Sequence, residues 1–208
     1  MKLQVALDTL SEEECIDLLD EIKDYVGVIE VGTPFVIESG MQPVRHFKQR
    51  YPDLAVLADC KIMDAGSYEA DKCFDAGADI VTVLGVSNDA TIKGVVASAK
   101  KHNKKVMVDM IEVKNLAQRT AELDKMGADY ICVHTAFDIQ ESGANPLSDL
   151  QVVNKIVTNA KSAVAGGVKL ATIDDIVAEG AEIIVVGGAI CTADNRAEMA
   201  KLLKGRLK

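Results

Sequence analysis

The apolar run Leu54-Ala55-Val56-Leu57-Ala58 leads directly into Asp59-Cys60-Lys61, and the turn-prone pair Ala65-Gly66 follows soon after. This pattern predicts a short buried strand that ends in charged side chains. Because alternate side chains of a strand share a face, we expect Asp59 and Lys61 to project together and Cys60 to point the opposite way. A structural ion pair and a functional pair of acid and amine are both compatible with this pattern.

The same unit, an apolar run followed by an amphipathic segment, occurs eight times along the chain. Strands are predicted over 3–7, 28–31, 55–59, 80–84, 105–110, 130–134, 162–165 and 183–186. The first helix is predicted from the capping-box spacing of Ser11 and Glu14, and the others over 41–51, 68–75, 89–102, 115–126, 147–160, 172–179 and 193–203.

Strands of near-continuous Val, Ile, Leu and Ala, separated by helices, indicate a parallel sheet covered by helices. Eight units favour a closed (β/α)₈ TIM barrel, an α/β fold, over an open doubly wound sheet. The glycine-rich fingerprint of the open sheet does not follow the first strand. We expect one domain over residues 1–208, with 137–146 as its longest irregular segment and a candidate mobile loop.

Composition excludes several classes of function. The 208 residues carry a net charge of −9 and an isoelectric point near 4.9, which argues against a nucleic-acid partner. No apolar run approaches the length needed to span a bilayer, and Met1 is not followed by a signal-peptide pattern, so a cytoplasmic protein without a membrane partner is expected. Five cysteines without a CxxC pair indicate reduced thiols rather than disulfides or a zinc site.

Ionisable side chains stand at the carboxyl ends of five of the eight predicted strands. In barrels of this kind, the active site is built at that end from residues of several strands. The sequence therefore predicts that six groups converge at one mouth of the barrel: Asp8, Glu30, Asp59, Lys61, Asp109 and His134.

Carboxylates on neighbouring strands suggest a hard divalent cation, because oxygen ligands with retained waters are typical of Mg²⁺. Glu30 and Asp59 are the candidate ligands; alternatively, both only hold Lys61 charged and oriented. A strand lysine also allows Schiff-base aldol chemistry, which requires the neutral amine. The neighbouring carboxylates argue against that route, since negative charge raises the pKa of a lysine.

Two glycine pairs follow the last two strands, Gly166-Gly167 and Gly187-Gly188. Glycine lets backbone N–H groups approach a phosphate closely, and barrels of this kind bind phosphate after these two strands. The pairs predict a phosphate site, although glycines also serve as plain turn residues. A phosphate held there would leave the reactive carbon of a small sugar over the acids, Lys61 and His134.

Six segments together resemble the orotidine-phosphate decarboxylase suprafamily, and within it the 3-hexulose-6-phosphate synthase branch: Leu3–Asp8, Ile29–Pro34, Ala58–Asp64, Thr82–Val86, Cys132–Thr135 and Ala165–Gly167. The most specific element is D-x-K-x-x-D at Asp59, Lys61 and Asp64. The resemblance implies a homodimer in which Asp64 serves its own or the partner's site. It also implies Mg²⁺-dependent condensation of formaldehyde with D-ribulose 5-phosphate to a 3-hexulose 6-phosphate.

The resemblance also implies roles for the charged residues. The metal held by Glu30 and Asp59 would polarise the ketose, and His134 would remove the C1 hydrogen to give an enediolate. Lys61, kept protonated by Asp8, Asp59 and Asp64, would stabilise the developing oxyanion. Asp109 would contact substrate hydroxyls or orient Lys61.

Two alternatives remain from the sequence. The 3-keto-L-gulonate-6-phosphate decarboxylase branch shares most of these residues, but typically has arginines at the positions of Phe137 and Gly188. Both differences favour the synthase, although Ile62 and Cys60 depart from the usual synthase motif. The other alternative, of a different class, is a phosphosugar-binding module without turnover.

Overall fold

In the computed structural model, eight parallel strands close into one barrel in sequence order, β1 to β8. The structure describes residues 1–140 and 145–207. The strands are Lys2–Leu7, Val28–Val31, Ala55–Ile62, Ile80–Leu84, Lys105–Asp109, Tyr130–His134, Lys161–Ala165 and Ile183–Val186. The predicted (β/α)₈ barrel is confirmed, since β1 pairs with both β2 and β8.

Eleven helices are found in the described part of the chain, and most of them pack around the outside of the barrel. In order, α1 to α11 are Glu12–Ile22, Thr33–Ser39, Gln42–Arg50, Gly66–Asp75, Asp89–His102, Leu116–Met126, Phe137–Gln140, Leu147–Asn154, Ile173–Glu179, Gly188–Cys191 and Arg196–Arg206. The first begins at the predicted capping box, in which Ser11 and Glu14 hydrogen-bond each other's backbone N–H. None of the described helices is both long and apolar enough to cross a bilayer.

Strand alternation divides the core into two compartments. Side chains on the outward faces of the strands pack against the helices in the larger cluster. Inward-facing residues fill the barrel itself in a smaller cluster that includes Leu57, Met107 and Tyr130. These apolar side chains fill the inside of the barrel. Polar residues that also face inward are found at the carboxyl ends of the strands.

Several predicted boundaries were wrong. The segment predicted as one helix over 41–51 is preceded by a separate helix α2, whose first turn contains Pro34 after Gly32. Strand β3 extends to Ile62, three residues beyond its predicted end. Residues 137–140 of the predicted mobile loop form the short helix α7, and 141–144 lie outside the described residues.

Candidate active site

Strand β3 delivers an acid and an amine to the carboxyl end of the barrel. Asp59 is buried, with 5% of its surface exposed, and its Oδ2 forms an ion pair with Lys61 Nζ. Thr33 at the start of α2 joins them, because its hydroxyl donates to Asp59 Oδ2 at 2.8 Å and accepts from Lys61 Nζ at 3.1 Å. Cys60 points the other way and contacts Cys73 of α4, with 3.4 Å between the sulfur atoms. The predicted facing of these three strand residues is confirmed.

Lys61 also reaches the end of β5, where its Nζ lies 3.6 Å from Asp109 Oδ2. Burial alone lowers the pKa of Lys61, but the charges of Asp59 and Asp109 outweigh it and raise the pKa above its ordinary value. The side chain is therefore an ammonium ion at neutral pH. A permanent positive charge suits electrostatic stabilisation and does not suit attack by a free amine.

Asp109 connects the ammonium group to the imidazole of His134 on β6. Asp109 Oδ2 lies 2.8 Å from His134 Nδ1, and its Oδ1 accepts the backbone N–H of Ile111 at 2.9 Å. Burial raises the pKa of Asp109, but the hydrogen bond and charge of His134 and the charge of Lys61 outweigh it, so the pKa is lowered. When the imidazole is neutral, an ionised Asp109 favours the tautomer with hydrogen on Nδ1, in which Nε2 has a free lone pair.

Glu30 on β2 is a further buried acid at the carboxyl end of the barrel. Gln4 on β1 donates from Nε2 to Glu30 Oε2 at 2.7 Å. The pKa of Glu30 is raised well above its ordinary value, first by burial and then by the charge of Asp59. Glu30 and Asp59 lie on the neighbouring strands β2 and β3, and their carboxylates are close enough to repel each other.

The described residues hold no cluster of three or more acidic, histidine or cysteine side chains arranged to bind one metal ion. A site with two carboxylates still fits Mg²⁺, which is commonly held by one or two carboxylates together with water and substrate oxygens. A cation between Glu30 and Asp59 would relieve their repulsion. Gln4 Oε1, which is buried and lacks a hydrogen-bond partner among the described residues, is another oxygen beside this pair.

Asp8 follows β1 and faces the same mouth. A Cβ on Gly32 would overlap Asp8 Oδ1, so the aspartate occupies space that only a glycine at position 32 leaves open. Asp8 is partly open to solvent, but the pKa of its carboxyl is raised, first by partial desolvation in the mouth and then by the charge of Asp59. Asp8 therefore belongs to the group predicted from the strand ends.

Asp64 lies apart from the other predicted residues within this protomer. Its side chain is exposed, and its Oδ1 accepts the N–H of the adjacent Ala65 at 2.7 Å. No ion pair between Asp64 and Lys61 is found among the described residues; Asp59 and Asp109 hold that ammonium group instead. The role of Asp64 stays a prediction.

The two glycine pairs follow β7 and β8 at the same end of the barrel. Gly166 and Gly167 both have positive φ values, 87° and 72°. A Cβ on Gly166 would overlap the carbonyl oxygen of Thr135, so glycine is required there. Gly188 is the first residue of the short helix α10 and Gly187 is its N-cap, beside the start of the loop that carries Asp8. This arrangement leaves an open rim next to the charged residues.

Sequence reasoning missed three neutral members of the site: Gln4, Thr33 and Thr82. Gln4 and Thr82 are inward-facing polar residues within otherwise apolar strands, and that break in the apolar pattern was the available signal. Thr82 of β4 donates to Asp59 Oδ1 at 2.7 Å, so both carboxylate oxygens of Asp59 are held.

The chain matches the model of the orotidine 5'-phosphate decarboxylase / HUMPS family over residues 1–203. It is 48% identical over 204 residues to a 3-hexulose-6-phosphate synthase of Bacillus subtilis, covering 98% of this chain and 97% of the relative. It is 49% identical over 208 residues to one of Staphylococcus epidermidis, covering 100% and 99%. These relatives confirm the predicted resemblance and the predicted enzyme class, a lyase.

Solved structures agree with this comparison. The crystal structure of 3-hexulose-6-phosphate synthase from Salmonella typhimurium superposes with a TM-score of 0.97 at 43% identity, covering 100% of this chain and 98% of that one. The crystal structure of 3-keto-L-gulonate-6-phosphate decarboxylase from Vibrio cholerae has a TM-score of 0.85 at 23% identity, covering 99% and 96%, and shows the fold alone. The family match and the relatives' coverage together place this chain in the orotidine 5'-phosphate decarboxylase / HUMPS family.

Proposed function

We propose that the protein condenses formaldehyde with D-ribulose 5-phosphate to give D-arabino-hex-3-ulose 6-phosphate. The observation that carries the proposal is the continuous chain of contacts from Asp59 through Lys61 and Asp109 to His134 at the mouth of the barrel. One small substrate bound there would have a proton acceptor and a fixed positive charge within reach. The name shared by the relatives supports the same reaction.

His134 is the proposed base. With Nδ1–H donated to Asp109, its Nε2 can take a proton from C1 of the ketose, which leaves an enediolate. The C1 carbon then forms a bond to the carbon of formaldehyde, and the former carbonyl oxygen of formaldehyde takes up a proton. The phosphate remains on the sugar throughout.

Lys61 is the proposed electrostatic partner of the enediolate. Its ammonium group is preoriented by Asp59, Thr33 and Asp109, so little reorganisation is needed when negative charge develops on the substrate. The raised pKa keeps this charge at all pH values near neutrality. The same property argues against the Schiff-base route.

Mg²⁺ is the proposed cofactor, with Glu30 and Asp59 as its protein ligands. When bound, it would supply Lewis-acid polarisation of the ketose. Glu30 is held by Gln4, and Asp59 by Thr33 and Thr82, so the residues of this chain fix both carboxylates before any cation arrives.

The glycines after β7 and β8 are the proposed phosphate site. Gly166 and Gly167 provide a backbone turn without side chains, and Gly187 and Gly188 border the same rim. A phosphate held there would direct the other end of the sugar towards Lys61 and His134.

A homodimer with shared active sites is also proposed. Met63 and Tyr68, which flank Asp64 in the sequence, are exposed by 52% and 67%, and Ile37 of α2, a helix that contacts β3, is exposed by 80%. Burying such residues against a second copy would stabilise the dimer. The exposed Asp64 would then lie in the dimer interface. The test is to mix Asp64→Asn and His134→Ala protein after unfolding: activity that returns only in the mixture would establish shared sites.

The five cysteines are free thiols, which supports the further proposal that the protein acts in the reducing cytoplasm.

Phe137, 84% exposed, follows His134 by three residues, where the decarboxylase branch typically has an arginine. That difference supports the synthase over the decarboxylase.

The deciding experiment incubates purified protein with ribulose 5-phosphate, with and without formaldehyde, and with 3-keto-L-gulonate 6-phosphate as the competing substrate. We expect consumption of formaldehyde that depends on the ketose, together with exchange of one C1 hydrogen in D₂O. Faster release of carbon dioxide than condensation would favour the decarboxylase instead. Tight binding of the ketose without exchange would favour the non-catalytic module.

The metal is tested separately. EDTA should abolish condensation and Mg²⁺ restore it, and Mn²⁺ titration followed by electron paramagnetic resonance should show one site that Glu30→Gln weakens. Activity that survives complete removal of divalent cations would refute the cofactor. Reduction with borohydride should trap no lysine adduct, whereas a trapped imine on Lys61 would establish the rival route.

A further inference from the structure

The strand that carries Asp59 and Lys61 is irregular where these residues lie. Ala58 pairs with Val81 of β4, but the next pair joins Ile62 to Val83. Four steps along β3 therefore match two steps along β4, so β3 has two extra residues in a bulge over 59–61. Lys61 has φ of 45°, in the left-handed region that residues other than glycine seldom adopt.

Thr82 lies opposite this bulge, between the two residues of β4 that keep regular pairing. Its side-chain oxygen accepts the backbone N–H of Lys61 at 2.9 Å and donates its hydroxyl to Asp59 Oδ1 at 2.7 Å. Only 3% of Thr82 is exposed. The buried Thr82 hydroxyl thus accepts the Lys61 N–H in place of a backbone carbonyl of the neighbouring strand. It also donates to one carboxylate oxygen of Asp59.

We propose that Thr82 is a positioning residue that fixes Asp59 and Lys61 for the reaction. It acts through these two residues, because its contacts run to the backbone of Lys61 and to the carboxylate of Asp59. Its role differs from that of Thr33, whose hydroxyl contacts Lys61 Nζ directly. Without the Thr82 hydroxyl, the partly buried N–H of Lys61 loses its acceptor and the carboxylate of Asp59 can rotate away from its position.

The expected loss of turnover rests on the proposed function, whereas the expected displacement of Asp59 and Lys61 does not. A shift of a catalytic group by about 1 Å can reduce turnover about 100-fold. Since the hydrogen bonds of Thr82 among the described residues run to Lys61 and Asp59 and not to the proposed phosphate site, its removal should lower kcat much more than it raises KM for the ketose phosphate.

The test compares Thr82→Val, which keeps the shape of the side chain without the hydroxyl, with Thr82→Ser, which keeps the hydroxyl. Thr120→Val is the matched control, because the buried Thr120 hydroxyl has no hydrogen-bond partner among the described residues. The measurements are kcat and KM for ribulose 5-phosphate, and the hydrogen exchange rate of the Lys61 amide by NMR.

We expect Thr82→Val to lower kcat by roughly 30- to 100-fold with KM changed less than about threefold, and to speed exchange at the Lys61 amide by at least about tenfold. Thr82→Ser should retain kcat within about fivefold of wild type, and Thr120→Val should change neither quantity. This pattern would support positioning, since a general loss of stability would not be rescued selectively by serine.

Wild-type kcat in Thr82→Val, or an equal loss of kcat in folded Thr82→Ser, would overturn the proposal. If Thr82→Val does not fold, Thr82→Cys replaces it in the comparison with Thr82→Ser. Equal kcat in these two variants would overturn the proposal. A loss of kcat in Thr82→Cys alone would support it. If wild type itself shows no condensation, the proposed function fails. Exchange at the Lys61 amide then decides the positional claim alone.

Discussion

Replacement of Asp109 by asparagine tests the pairing on which proton transfer depends. In the wild type, Asp109 Oδ1 accepts the N–H of Ile111, and Oδ2 lies 2.8 Å from His134 Nδ1. An asparagine has one acceptor oxygen for these two N–H groups. If that oxygen stays with Ile111, the amide NH₂ faces His134 and favours the tautomer with hydrogen on Nε2. The lone pair needed to take the C1 proton is then lost.

The size of the effect follows from this geometry. General-base catalysis contributes typically about 10²- to 10⁴-fold to a rate, which corresponds to roughly 2.7–5.5 kcal/mol of activation free energy at about 1.36 kcal/mol per tenfold change. The charge that Asp109 offers to Lys61 at 3.6 Å is lost as well. We therefore expect Asp109→Asn to reduce C1 exchange by at least about 100-fold.

The assay is exchange of the C1 hydrogen of ribulose 5-phosphate in D₂O without formaldehyde, because it isolates proton removal from carbon–carbon bond formation. Asp129→Asn is the control, since Asp129 accepts the N–H of Val106 at the opposite end of the barrel. Exchange in folded Asp109→Asn within about threefold of wild type would show that His134 does not need this partner, and would refute the reasoning.

Three further predictions concern other residues. Lys61→Met should lower kcat by roughly 10²- to 10³-fold, the usual loss for one oxyanion donor, as measured by steady-state kinetics. Burial raises the pKa of Asp124, but hydrogen bonds from Ala160 and its neighbours outweigh burial and lower the pKa to about 2. Its contribution of about 2 kcal/mol should be complete above the unfolded pKa of 3.8 and vanish as pH falls towards 2, so urea unfolding of wild type and Asp124→Asn should converge there. Cys60→Ala should leave kcat within about twofold, because Cys60 points away from the site towards α4; a larger loss would contradict its placement.

The architecture was predictable because both faces of a barrel strand are covered. Each strand was therefore visible as a continuous apolar run, and parallel pairing then brought all the charged strand ends to one edge. Helix α2 was missed because its seven residues are short for a periodic pattern, and Gly32 and Pro34 are typical of a turn. There, a glycine N-cap and a proline in the first turn begin a helix instead.

The partners of the charged residues were harder to find. Glu30 and Asp109 stand out in sequence because ionised groups are costly to bury. Gln4 and Thr82 carry no charge and sit inside apolar runs, so their importance depends on which strand positions face each other. Their contacts to Glu30 and Asp59 join residues that are 26 and 23 positions apart, and only the closed sheet brings them together.

The prediction that Asp59 and Lys61 share a face was correct although the strand is not regular between them. A bulge of one extra residue would have moved every later side chain of β3 to the opposite face. Here the four steps from Ala58 to Ile62 match two steps on β4, so two residues are inserted, an even number, and the alternation is preserved. Ala58 and Ile62 both remain in the outer core, and Asp59 and Lys61 both remain inside. Within this bulge the backbone of Lys61 is left-handed, and its N–H donates to the hydroxyl of Thr82 rather than to a backbone carbonyl of β4.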